Sequence, residues 1–138
     1  MKNVTPFPAA PSPEFVDVIV LNCPHQLHFD SDPMIQLFAD KGVHEAEAIV
    51  CLMLEDMTLR LDMLQKGLSQ KEFMLLERPA RRVRTIADRI GMTEVAVSAG
   101  HVIQCLQQDD GVALEATMAR LERGFDVAVS EIWNFREL

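Results

Sequence analysis

Three arginines fall within four positions of this chain, Arg81, Arg82 and Arg84, with Thr85 directly after them and Asp88 one turn on from Arg84. A guanidinium stays protonated at any working pH and presents a planar fork of donors. It is suited to gripping carboxylates or phosphates through paired, charge-assisted hydrogen bonds. It has no lone pair to offer, so it cannot accept a transferred group as an imidazole does. Residues 66–91 hold seven Lys/Arg against three acids, a local +4, whereas the whole chain carries a net charge of -8. That asymmetry makes the arginine run a candidate docking face for an acidic protein surface. The competing reading is a solvated helix face on which Glu72, Glu77 and Asp88 neutralise the arginines within the helix.

Other residues with reactive side chains make weaker constellations. Cys23, His25 and His28, followed by Asp30 and Asp32, have the right ligand types for a transition metal. No second Cys/His pair completes a closed site, so no metal and no cofactor are expected. Cys51 and Cys105 lie in apolar stretches, where reduced cysteine acts as a small core residue, and three scattered cysteines make no disulfide framework. His44 and His101 belong to no nucleophile-base arrangement, and a lone helical histidine is more often a packing or surface residue. With no phosphate-binding glycine loop and no paired carboxylates, a non-catalytic role is expected.

The elements that must carry the arginine run are helical. Four prolines within residues 1–13 make an extended arm, and the β-branched run from Glu14 to Leu21 reads as a lone strand able to join a second copy. Asp32-Pro33 predicts a helix start with Asp32 as cap, ending near Gly42. A second helix runs from Val43 to Lys66, with Ala46, Val50, Met53, Met57, Leu61 and Leu64 on one face. Leu52, Leu54, Leu59 and Met63 widen its apolar surface, which predicts burial around much of its circumference, and Gly67 is expected to end it. Ser69 to Glu72 reads as a capping box for a third helix reaching Ile90, with Pro79 interrupting it and Phe73, Leu76, Ala80, Val83, Ala87 and Ile90 inward. Gly91 closes that helix, Thr93 caps the next, and Asp109-Asp110-Gly111 breaks the chain again. Leu114, Met118, Leu121, Phe125, Ala128 and Ile132 then form a bundle seam at alternating four- and three-residue spacing. Short connections make neighbours antiparallel, so the expected fold is an all-α, up-down-up-down four-helix bundle over residues 31–138, with a short extra N-terminal helix and an extended arm over residues 1–30.

From Met34 to Trp133 this order resembles the histidine-containing phosphotransfer (HPt) domain. That family is a four-helix bundle that relays phosphoryl groups between receiver domains. Its signature helix carries His-x-Leu-Lys-Gly with a further Gly ten residues after the His. Val83 stands at the Leu position, Arg84 at the Lys, and Ile90-Gly91 at the final apolar-Gly pair, while Thr93 to Gln107 resembles the next helix. The acceptor position holds Arg81 and the small-residue position holds Thr85. The resemblance therefore implies a receiver-binding module without transfer chemistry, with Arg81, Arg82, Arg84, Thr85 and Asp88 as the partner-binding residues.

Ala87, Gly91 and Val97 also satisfy helix-turn-helix spacing. A recognition helix needs Arg, Lys, Asn or Gln near its start, but no Lys or Arg occurs between Arg89 and Arg120, and Glu94 would face the phosphates. Nucleic acid is therefore not the expected partner; the helix-turn-helix regulator remains an alternative, as does a structural protein pairing as a homodimer. No apolar run approaches the ~18 residues of a membrane span. The first residues lack a signal pattern, so a cytoplasmic location is expected.

Overall fold

A computed structural model describes residues 29–136. They form five α-helices and one 3-10 turn: α1 (Asp32–Lys41), α2 (Val43–Ser69), the turn Phe73–Leu75, α3 (Glu77–Ile90), α4 (Thr93–Gln107) and α5 (Gly111–Arg136). No strand occurs among the described residues, and the strand expected at 14–21 lies outside them. No helix among the described residues is long and apolar enough to cross a membrane.

Each helix packs on its neighbour in sequence. α2 lies against α3, α3 against α4 and α4 against α5, while α1 rests on α2 and touches α3. The backbones of α2 and α5 approach less closely, and Gln65 Nε2 donates across to Glu122 Oε2 at 2.6 Å. The core is aliphatic and methionine-rich, with Met57, Leu64, Leu76, Ile90, Met92, Met118, Leu121 and Ile132 fully enclosed. Each such side chain contributes about 1.5–3 kcal/mol through burial. The seam read on α5 is buried at every position except Phe125, which packs against the core while half-exposed.

Several local expectations need correction. Ser31, not Asp32, occupies the cap position of α1, and the Asp32 amide donates to Asp30 Oδ1 at 3.1 Å. Asp30 also donates its amide to Gly91 O at 2.7 Å, which ties the residues before α1 to the end of α3. Gly67 does not end α2; it lies buried within the last turns, and a Cβ there would collide with Leu76 Cδ2. The gap left by the missing side chain is where Leu76 seats. The capping box does not form, because Ser69 still belongs to α2 and the chain turns through Lys71 at φ 59°. The Glu72 amide instead donates to Gly67 O at 2.8 Å. α3 consequently begins at Glu77, which puts Pro79 in its first turn rather than its middle. An amide there has no intrahelical acceptor, so proline costs nothing and no kink results.

Two further expectations fail at the surface. Leu52 and Leu59 are 66% and 56% exposed, and Met63 is also exposed. The three lie opposite the Ala46–Val50–Met57 face that meets the other helices, so α2 is buried on one side only. Phe73 is exposed as well, because it belongs to the 3-10 turn and not to the α3 stripe. Met92 occupies the cap position of α4, with no side-chain bond from it, in place of Thr93.

Candidate functional site

The arginines lie on α3 because its apolar residues define the opposite face. Pro79, Ala80, Val83, Ile86, Ala87 and Ile90 are buried, and everything between them is turned to solvent. At 100° per residue the exposed arc runs from Arg82, on the flank of α2, through Thr85 and Arg81 to Arg84, on the flank of α4.

The two flanks differ in charge environment. Arg82 reaches α2, where its Nη2 lies 3.0 Å from Asp56 Oδ2, and Arg60 Nε donates to the other oxygen of the same carboxylate at 2.9 Å. Desolvation of Asp56 would raise its pKa, but the hydrogen bonds and charges of Arg60 and Arg82 outweigh it and hold the carboxyl below its ordinary value. Arg81 is paired within the helix, Nε to Glu77 Oε2 at 2.8 Å. Thr85 Oγ1 donates back to the Arg81 carbonyl at 3.0 Å. On the opposite flank Arg84 extends over α4, its Nη1 lying 3.8 Å from where a Cβ of Gly100 would stand. Asp88 is exposed, and no ion pair joins it to Arg84 among the described residues.

A recess of about 640 Å³ opens between the C-terminal half of α2, the 3-10 turn and the first half of α3. Arg60, Arg78, Arg81 and Arg82 border it with Thr85, and Met63, Met74, Leu75 and Pro79 supply its apolar wall. Met74 is 96% exposed and Leu75 63%. Of the five expected site residues, Arg81, Arg82 and Thr85 meet at this recess, while Arg84 and Asp88 do not.

Sequence reading passed over Arg60, Leu75 and Asp56, and it weighed Met63 and Met74 as an adaptable partner surface but favoured core filling for them. Arg78 entered it only as part of the local charge. The Asp56–Arg60 pair had a signal in its i,i+4 spacing. The Asp56–Arg82 bridge spans 26 positions and had none. Of the three acids expected to neutralise the run, Glu77 does so, and Asp56 replaces the others.

Cys23, His25 and His28 lie outside the described residues, and the described ones contain no cluster of metal-ligating side chains. The solvent-facing positions of α4 include Thr93, Val97, His101 and Gln104, with no Lys or Arg anywhere on that helix. No family model matches this chain, and neither a curated protein nor a solved structure does.

Proposed function

We propose that this chain is a non-catalytic, HPt-like signalling module. In this reading α2 to α5 form an up-down-up-down bundle, with α1 as the extra helix, and the exposed face of α3 binds a receiver domain or a related acidic protein. One observation carries it. Arg81 and Thr85 occupy the middle of the solvent-facing arc of α3, the positions at which the resemblance puts the phosphoryl acceptor and its small neighbour, and further arginines flank them.

An arginine at that point can enter an acidic pocket as a fixed positive charge but cannot take up phosphate. Glu77 and Asp56 hold Arg81 and Arg82 in set orientations, which lowers the entropy lost when a partner arrives. Because the rest of the chain is acidic, an acidic partner is attracted to this face and repelled elsewhere, which fixes the docking orientation. The absence of basic residues on α4 argues against the helix-turn-helix alternative.

The test is capture of purified receiver domains by the wild-type chain and by the Arg81→Glu/Arg84→Glu variant. Capture that weakens with salt and is lost in the variant supports the reading. Equal capture by both would remove the α3 face from it. Phosphorylated receiver should pass no label to the chain; an acid-labile phosphohistidine would overturn the non-catalytic assignment.

A further inference from the structure

The recess beside α3 specifies its occupant more narrowly than a charged face does. Four guanidinium groups border it, and two carboxylates, Asp56 and Glu77, pair with three of them. The fourth, Arg78, has no ion-pair partner among the described residues. Between the charges lie Met63, Met74, Leu75 and Pro79. Methionine adapts its shape to whatever side chain it meets. The volume, about 640 Å³, falls in the range of recesses that enclose a small ligand or a few side chains.

We infer that this recess is a docking site for an acidic amphipathic helix of a partner protein. One bulky apolar side chain of that helix enters between Met74, Leu75 and Met63, and carboxylates on the neighbouring turns meet Arg78 and Arg81. The inference rests on the docking reading of α3 and moves the contact to its α2 flank, away from Arg84. Charge complementarity selects the occupant. The bordering arginines exceed their carboxylates by two, so an added acidic segment neutralises the site. Arg60 and Arg82 are pinned by their shared carboxylate and act as walls, and Arg81, held by Glu77, is a pre-oriented contact. Arg78 is the contact whose charge no ion pair among the described residues takes up. A bilayer surface offers no single side chain to fill a recess, so a protein segment fits this shape better than anionic lipid does.

The test uses the full chain with labelled methionine methyl groups, titrated with a helix-forming peptide of about 18 residues. The peptide carries Glu along one face and one central Phe; a second version has Ala in place of the Phe. The Met63 and Met74 signals should shift while those of buried Met57 and Met118 stay, and the Ala version should bind about tenfold more weakly. Arg78→Ser and Met74→Ser should each cost about tenfold, whereas Arg84→Ser should stay within about twofold. These side chains are exposed, so unchanged circular dichroism is expected to accompany every loss. Unmoved Met63 and Met74 signals at about 1 mM peptide, or equal binding of both peptides, overturns the inference. So does a Met74 shift produced as well by phosphatidylglycerol vesicles as by the peptide. If receiver capture falls with Arg84→Ser but not with Arg78→Ser or Met74→Ser, the recess is eliminated and docking on α3 survives. If receiver capture ignores all three and the double charge reversal as well, the docking reading itself fails.

Discussion

Replacing Gly91 with alanine should loosen the segment before α1 as well as the end of α3. Gly91 closes α3 at φ 84°, where an L-residue is strained by about 1–2 kcal/mol. Its carbonyl accepts the Asp30 amide at 2.7 Å, and an added Cβ would press into the Asp30 carbonyl oxygen and close on Pro33 Cδ. Both of the nearest atoms belong to backbone, which cannot rotate aside as a side-chain end can. Moving residues 29–31 away costs their hydrogen bond, about 0.5–1.5 kcal/mol. The expected loss is therefore about 2–3 kcal/mol, a large share of a typical domain stability of about 5–15 kcal/mol. Urea unfolding followed by far-ultraviolet circular dichroism measures it, and thermal unfolding should show a fall in Tm of roughly 10 °C. The same substitution in a chain lacking residues 1–30 should cost only the backbone strain, about 1–2 kcal/mol. Equal costs in the two backgrounds would refute the packing of Asp30 on Gly91, and a cost below about 0.5 kcal/mol in both would refute the strain as well.

Asp56→Asn should destabilise near neutral pH and have no effect in strong acid. The folded-state pKa of Asp56 lies below its ordinary 3.8, so the stabilisation is complete above that value and is lost as pH falls through the depressed pKa. A wild-type-minus-variant difference that persists unchanged to the acid end would show that the carboxylate charge is not its source. Ser98→Ala should stabilise by about 1 kcal/mol, because the Ser98 hydroxyl is buried in α4 without a hydrogen-bond partner among the described residues and alanine also suits a helix interior better. Thermal unfolding checks this, and a lowered Tm would imply that the hydroxyl has a partner after all. Gly67→Ala should destabilise despite its better helix propensity, and pairing it with Leu76→Val should recover part of the loss; a cost unaffected by the second change would mean that Leu76 does not seat on Gly67.

What was readable in the chain was local. Asp32-Pro33, Gly42 and Gly91 mark helix ends through backbone chemistry that acts within a turn, and each stands at such an end. The α5 seam was readable because six residues repeat at bundle spacing over five turns, enough for the pattern to dominate noise. The region from Gly67 to Pro79 was misread because every signal there had a tertiary competitor. Glycine stops a helix unless something needs the space over its Cα, and Leu76, nine residues on, needs it. A Ser-x-x-Glu box caps a helix unless the serine is still inside the previous one. These errors displaced the start of α3 and hid the 3-10 turn that carries Met74 and Leu75. The candidate site was half legible for the same reason. Charges on one helix can be counted along the chain, but the recess exists only once α2 lies beside α3.

The pairing on α3 bears on what kind of recognition this surface can perform. Arginines packed as closely as Arg81, Arg82 and Arg84 would repel one another if bare. Here Glu77 and Asp56 each take one, so the repulsion is relieved and two guanidinium planes are fixed. Arg78, on the flank facing α2, and Arg84, on the flank facing α4, then carry charges that no ion pair takes up among the described residues. The first of these borders the recess with exposed Met63, Met74 and Leu75. A partner reading charge alone would respond equally to either position and would lose affinity steeply with salt. A partner seated in the recess would gain from excluding water around Met74 and Leu75, and would keep part of its affinity at high salt. The salt slope of binding, measured with Arg78→Ser and Arg84→Ser, therefore separates a merely electrostatic face from a built docking site.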